Sequence, residues 1–331
     1  MDQRTLGRTG RTVSVIGLGT WQLGADWGDV SAADARSVLD ASHQAGVTFF
    51  DTADVYGDGR SESLIGVWRA GLSDADRGAI TIATKMGRRL EQVPENYSPT
   101  NFHAWTDRSR ANLGMDTLDL VQLHCPPTEV YRSDATFDAL DALVDSGAIA
   151  AYGVSVETVE QALLAIARPH IASVQIILNA FRLKPLDDVL PAARDAGVAI
   201  IARVPLASGL LSGRYRHETE FAADDHRTFN RHGEAFDQGE TFSGVDFDEG
   251  VEASQEFSAL ADGAGLPASE AALAWVAQLP GVSTVIPGAR NVQQARANAA
   301  AGSVPPLGDA FTASVRELYD RRFRAAIEDR W

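Results

Sequence analysis

The sequence predicts a (β/α)8 barrel formed by a single domain over residues 1–331, with an N-terminal β-hairpin and a long loop after the seventh strand. Three observations lead there. Eight short apolar runs, at residues 15–18, 47–50, 80–84, 118–123, 150–154, 173–178, 199–204 and 282–286, alternate with helix-like segments. A glycine (Gly46, Gly147, Gly197) stands shortly before several of these runs, as expected where a helix stops and a strand follows. No nucleotide fingerprint of a doubly wound sheet is present: Gly17-Leu18-Gly19 followed by Thr20-Trp21-Gln22-Leu23-Gly24 has the wrong spacing, and there is no Gly-Lys-Ser/Thr sequence.

Taken in order, Gly7-Arg8-Thr9-Gly10 sits within residues 6–15 between short extended pieces and predicts a hairpin plugging the bottom of the barrel. Ser31 opens a helix that closes at Ala45-Gly46, and Ser61-Glu62 opens a second. Residues 138–145 end at Ser146-Gly147, residues 186–196 at Gly197, and a last-strand helix starts near Val292. Residues 211–250 form a polar insertion whose aromatics (Tyr215, Phe221, Phe229, Phe236, Phe242, Phe247) argue against disorder and for a loop folded over the C-terminal mouth.

Composition narrows the function classes. A net charge of −16 argues against general nucleic-acid binding. No apolar stretch approaches the roughly 20 residues that span a bilayer. The first residues lack the apolar core of a signal peptide, and the single cysteine, Cys125, forms no internal disulfide; both fit a cytoplasmic protein. Seven histidines show no zinc-type spacing, so no metal is expected, and His217, His226 and His232 read as solvated residues of the insertion. Cys125, followed by Pro126-Pro127, reads as an inert turn residue.

Four side chains carry the chemistry: Asp51, Tyr56, Lys85 and His124, each at or just past the end of a strand run. Thr81, Ala83 and Lys85 share one face of their strand, while Ile80, Ile82 and Thr84 share the other, which turns Lys85 into the barrel. A tyrosine hydroxyl titrates near 10, so an adjacent ammonium is needed to draw it toward phenolate, and a carboxylate holds that ammonium charged. An imidazole can orient a carbonyl by a hydrogen bond. Singly, each has a plainer role: a snorkelling lysine, a packing tyrosine, a structural histidine.

The chain resembles the aldo-keto reductases over nearly its whole length. The resemblance lies in Gly17-Leu18-Gly19-Thr20-Trp21, Phe50-Asp51-Thr52-Ala53-Asp54-Val55-Tyr56-Gly57, Ser61-Glu62, Thr84-Lys85, Leu123-His124, Gly153-Val154-Ser155, Gln175, Pro205-Leu206-Ala207-Ser208-Gly209-Leu210-Leu211 and Ile286-Pro287-Gly288-Ala289. It implies reduction of an aldehyde or ketone to an alcohol by hydride transfer from NADPH, with Tyr56 as general acid, Lys85 and Asp51 tuning it and His124 orienting the substrate. NADPH is preferred and NADH possible. The alternative is an NADPH-binding regulatory or sensor subunit with negligible turnover. The partner is a small-molecule carbonyl; neither nucleic acid nor membrane is expected, and oligomeric state is not legible.

The same resemblance implies a cofactor track of Thr20, Trp21, Asp51, Ser155, Gln175, Arg203, Pro205, Leu206, Ser208, Gly209, Leu211, Gly288, Arg290, Gln294 and Asn298. Ser155 and Gln175 would hold the carboxamide, residues 206–211 the pyrophosphate, and Arg290, with Arg296, the 2′-phosphate. Two positions depart from the family pattern. Val156 replaces a common Asn, so a hydrogen bond is lost or replaced. Arg203 replaces an aromatic residue, and as a planar cation it either stacks on the nicotinamide, favouring the reduced form, or pairs with an inward carboxylate. Trp21, Val55, Tyr56 and His124 form the implied substrate pocket; Trp27 and Met86 line it or pack the loops.

Overall fold

The computed structural model describes residues 1–24, 30–235 and 238–331, so Trp27 and Phe236 lie outside the described residues. Strands β1 (Gln3–Thr5) and β2 (Thr12–Ser14) form an antiparallel hairpin. Eight parallel strands follow: β3 (Leu18–Gly19), β4 (Phe49–Asp51), β5 (Thr81–Met86), β6 (Leu120–His124), β7 (Tyr152–Ser155), β8 (Ser173–Ile177), β9 (Ala199–Arg203) and β10 (Val282–Val285). Each pairs with its neighbours in chain order. Parallel bridges Ile16↔Val285 and Gly19↔Gly288 join the two ends of the sheet, which closes it into a barrel. All eight predicted strands are present, with ends displaced by up to three residues, and Asp51, Lys85 and His124 lie within their strands.

The two-residue period of a strand splits the core into two layers. Phe50, Ile82, Val121, Val154, Val174 and Ile200 face the surrounding helices. Phe49, Ala83, Leu120, Ala199 and Ile201 face inward, where Leu6 and Val13 of the hairpin join them. The hairpin is therefore the expected plug, and Arg11 ties it to β5 through Thr81 Oγ1 (2.8 Å) and to Asp119 (3.3 Å).

The helices start where polar caps permit. Ser31 accepts from the Asp34 N–H ahead of Ala32–Gln44, and Asn291 accepts from Gln294 ahead of Val292–Ala300. Arg60–Ala70 begins one residue before Ser61, from Gly59 at φ 90°. Asp134–Asp145 starts four residues earlier than its apolar pattern because Ser133 caps it. No helix of the described residues is long and apolar enough to cross a membrane.

The insertion is ordered by its aromatics: Tyr215–Phe221 (5.2 Å), Phe221–Phe242 (5.9 Å) and Phe242–Phe247 (5.1 Å) pack ring on ring. A 17-residue helix, Phe247–Gly263, starts inside its expected end. It folds over the barrel mouth, as the sequence predicts, and one of its histidines departs from expectation. His226 is fully buried, with its ring 5.4 Å from Trp21, because the insertion presses it onto the mouth instead of leaving it in solvent.

The loop from β4 to Arg60 holds a second buried acid. Asp54 is fully buried, and burial, reinforced by nearby Glu62 against Arg89 and Arg108, pushes its carboxyl up to about 7. Its folded-state pKa exceeds its unfolded value, so its contribution to stability is present below about pH 4 and lost as pH rises through about 7. Asp54→Asn removes this dependence: urea unfolding of wild type and variant converges at low pH and diverges in favour of the variant by a few kcal/mol toward pH 8. Leu6→Ala leaves a cavity in the barrel floor and costs about 2–5 kcal/mol of unfolding free energy in the same assay.

Candidate functional site

Neighbouring strands bring the acid and the amine together. Asp51 ends β4 and Lys85 lies in β5; their side chains, 3% and 1% exposed, form a direct ion pair. The ammonium also donates to the Thr52 carbonyl (3.1 Å). The second carboxylate oxygen, Oδ2, accepts from Gln122 (3.2 Å) and Gln175 (2.8 Å), which are inward residues of β6 and β8. Gln175 thus lines the cleft and anchors Asp51. Burial opposes the Lys85 charge, but Asp51 and Tyr56 outweigh it and hold the amine above its ordinary range.

Tyr56 stands on the turn after β4, with the Lys85 nitrogen 5.3 Å from its ring centre. Its ring stacks on Trp21 (6.0 Å, 21° between planes) and meets His124 edge-on (6.0 Å, 84°). Burial raises the phenol above the usual tyrosine value; Lys85 pulls the other way, and burial wins. This corrects the expectation that the ammonium leaves the phenol more acidic. In the resting site Tyr56 keeps its proton. His124 is held neutral by burial and by Arg88, Lys85 and Arg203. Asp51, Tyr56 and His124 line a cleft of about 780 Å³, with Val55 and Trp21; Lys85 is buried behind them on Asp51.

Arg203, at the end of β9, pairs with Glu240 from the insertion. Its Nη2 donates to the Val156 carbonyl (3.1 Å) and lies 3.8 Å from Cys125 Sγ. Of the two expectations for Arg203, the carboxylate pairing is the one observed. The Val156 side chain is buried, and its carbonyl accepts from Arg203. Ser155 lines the cleft, with its hydroxyl 3.4 Å from Cys125 Sγ.

The cleft runs from there between two loops. The first turns through Ser208 (φ 53°) and Gly209 (φ 100°), where a Cβ on Gly209 would strike the Tyr215 hydroxyl at 2.2 Å. Pro205, Leu206, Ser208 and Gly209 line it, but Leu211 does not: it is fully buried in the outer core, with its N–H bonded to the Leu206 carbonyl (3.2 Å). The second loop is residues 287–290. The Gln294 side chain accepts from the Arg290 N–H (2.8 Å), and Asn298 donates to the Gly288 carbonyl (3.0 Å). Gly288, Arg290, Gln294 and Asn298 line the cleft with Thr20. Arg296 is exposed outside it, on the opposite side of its helix. Met86 is buried in the outer core against Thr106 rather than in the cleft.

Sequence reasoning missed several lining residues. Arg227 of the insertion is clamped by Asp225 (Nε to Oδ1 2.8 Å) and donates to the Tyr215 hydroxyl. Burial opposes the charge of Asp225, but Arg227 and His226 hold it well below the usual carboxylate range. Burial lowers His226, whose Nδ1 lies 3.3 Å from Asp225. Arg88, Arg214 and Glu240 also line the cleft, as do Gln22, Ser212, Tyr215 and Ser269. Arg88 had a local signal, three residues past Lys85 at a strand mouth, whereas Arg214, Arg227 and Glu240 are brought there by the fold of the insertion.

The described lining residues include five arginines (Arg88, Arg203, Arg214, Arg227, Arg290) and two carboxylates (Asp51, Glu240), in a chain of net charge −16. A cleft lined by these arginines and by the tight Ser208-Gly209 turn suits a polyanion such as a dinucleotide.

The sequence profile described as "Aldo/keto reductase family" matches residues 15–320. The chain is 32% identical to an uncharacterized oxidoreductase of Mycobacterium bovis over 299 residues, 88% of this chain and 85% of that protein. It is 32% identical to aldo-keto reductase str7 of Strobilurus tenacellus over 324 residues, covering 92% and 89%, and 28% identical to aldo-keto reductase yakc [NADP(+)] of Schizosaccharomyces pombe over 318 residues, covering 93% and 89%. The glycerol dehydrogenase AKR11B4 from Gluconobacter oxydans has a similar structure, with a TM-score of 0.79 at 26% identity over 97% of this chain and 96% of that one. With the barrel, the buried ion pair and the tyrosine already in place, these matches establish that the chain belongs to the aldo/keto reductase family of oxidoreductases.

Proposed function

We propose that the protein reduces an aldehyde or ketone to the alcohol at the expense of NADPH, with Tyr56 as the general acid. The observation that carries this reading is the buried Asp51–Lys85 pair placed beside a protonated phenol in a cleft lined by arginines. When bound, the nicotinamide supplies a hydride. The chain's own residues handle the oxygen. His124, neutral, orients the carbonyl. Tyr56 gives its proton to the oxygen as negative charge gathers there, and the phenolate left behind is held by the Lys85 ammonium. The ammonium keeps its charge because Asp51 is fixed by Gln122 and Gln175.

Ser208, Gly209 and Arg227 would hold the pyrophosphate, and Arg290, Gln294 and Asn298 the adenosine end. An NADP(+) designation in the name of one relative supports the phosphorylated cofactor. Tyr56→Phe lowers kcat about 10²–10⁴-fold while the Kd for NADPH, read by fluorescence quenching, changes by less than a few-fold. Full turnover in that variant overturns the mechanism. Wild type that binds NADPH but oxidises none with a panel of carbonyls is a sensor subunit instead.

The Arg203–Glu240 pair refines the reading of the departure at position 203. Glu240 offsets the guanidinium charge, so the bias against oxidised cofactor is muted in the wild type. Glu240→Gln uncovers that charge and raises the NADP⁺:NADPH ratio of Kd values several-fold in isothermal titration. An unchanged ratio removes Arg203 from the nicotinamide's surroundings.

A further inference from the structure

We propose that Trp331, stacked on the buried guanidinium of Arg182, is a positioning residue for the cleft: it fixes residues 239–244 of the insertion and so sets Glu240 against Arg203. The consequence for the cofactor rests on the reductase reading above. Residues 239–244 touch the cleft at Glu240 and the stack at Gly239 and Gly244. On the cleft side, Ser208 donates to the Glu240 carbonyl (2.8 Å) and accepts from the Phe242 N–H (3.0 Å), and Glu240 pairs with Arg203. On the other side the Arg182 guanidinium carbon lies 3.7 Å from the centre of the indole ring. Two glycines make this approach possible. A Cβ on Gly239 would strike Arg182 Nη1 and stand 3.1 Å from Trp331 Cη2, and a Cβ on Gly244 would stand 2.7 Å from Trp331 Cζ2. The neighbouring Arg330 donates to the Gly244 carbonyl (3.2 Å).

Both members of the Arg203–Glu240 pair are tied to this stack. Arg182 Nη2 donates to the Glu157 carbonyl (2.7 Å), one residue beyond Val156, whose carbonyl accepts from Arg203 (3.1 Å). Glu240 follows Gly239, which lies against the Arg182 guanidinium. The segment that carries Trp331 is itself anchored to the loop after β8: Phe323 packs on Phe181 (4.8 Å), and Lys184 donates to the Glu328 carbonyl (2.7 Å). A planar cation on an indole face gains from both charge and stacking, so the two hold one surface between them. Without the indole, Gly239 and Gly244 lose part of the surface they pack against, and Glu240 is free to draw back from Arg203. Asn179 still holds the Ser243 hydroxyl (2.7 Å), so the segment loosens without leaving the mouth. The guanidinium, less well neutralised, then disfavours a cationic nicotinamide ring more than a neutral one.

The test uses Trp331→Ala, Glu240→Gln and the two together in the full chain. Hydrogen–deuterium exchange of the cofactor-free protein reads the segment: Trp331→Ala exposes the amides of residues 239–245, and Trp331→Phe keeps them protected. Isothermal titration with NADP⁺ and with NADPH reads the cleft. Trp331→Ala raises the NADP⁺:NADPH ratio of Kd values several-fold, by no more than Glu240→Gln does, and adds nothing in the Glu240→Gln background. Trp331→Phe restores the wild-type ratio. Unchanged exchange, equal weakening of both cofactor forms, or an additive double variant reduces Trp331 to ordinary packing and overturns the proposal. Wild type that takes up neither form sinks the reductase reading together with this role. Wild type that binds both, with a ratio that Trp331→Ala leaves unchanged, sinks this role alone.

Discussion

Two opposite charges buried at the centre of the barrel govern the architecture of the mouth. Taking a carboxylate and an ammonium out of water costs several kcal/mol per ion, and their attraction offsets this only where the remaining hydrogen-bonding capacity is filled. Here it is filled from four directions: Asp51 from β4, Lys85 from β5, Gln122 from β6 and Gln175 from β8. The two amides also meet each other, 3.4 Å apart. Shifting any one of these strands by a single residue would replace an inward polar group with an outward apolar one and strand a charge. The ion pair thus couples strand register to chemistry.

Placing a phenol beside such a pair has a consequence that differs from the simple expectation of an acidified tyrosine. Desolvation penalises every charged form in the cleft, so the phenol keeps its proton and the imidazole stays neutral. If Tyr56 acts as the proposed acid, Lys85 does not need to ionise it in advance; it needs only to be there once the proton has gone, when the phenolate would otherwise be a buried anion without a partner. In the proposed mechanism, donor strength would come from stabilising the product of proton transfer, not from weakening the reactant.

What was legible in the chain follows from distance along it. Strand parity placed Lys85 inward because Ile82 needed apolar neighbours, and the structure bears this out, with Ile82 in the outer layer and Ala83 in the inner one. The hairpin plug, the eight strands and the capped helices are short-range patterns, and they appear within a few residues of where they were expected. Arg203–Glu240 joins residues 37 apart through an insertion with no repeating pattern, and no local rule pairs them. His226 reads as solvated because its neighbours Asp225 and Arg227 are polar; the two clamp each other at the mouth, with His226 against Asp225. Leu211 looked like part of a phosphate turn because its motif continues that far, but the backbone turns at Gly209 and sends it into the core.

The insertion meets two demands. Its inner side must bind the barrel firmly, and its outer edge must present charge to a ligand. Leu210, Leu211 and Phe242 are buried in the outer core, and Gly250 lets the following helix approach so closely that a Cβ would lie 2.7 Å from Leu210. From that apolar anchor the chain reaches over the mouth, where Ser208 fixes the Glu240 carbonyl (2.8 Å) and Asn179 holds the Ser243 hydroxyl (2.7 Å). Glu240 and Arg227 are therefore set in place before any ligand arrives. A charged group held by packing does not have to be ordered on binding, so its attraction is not offset by lost side-chain entropy. Aromatic residues in an otherwise polar loop hold ionic residues still where a flexible loop would leave them to solvent.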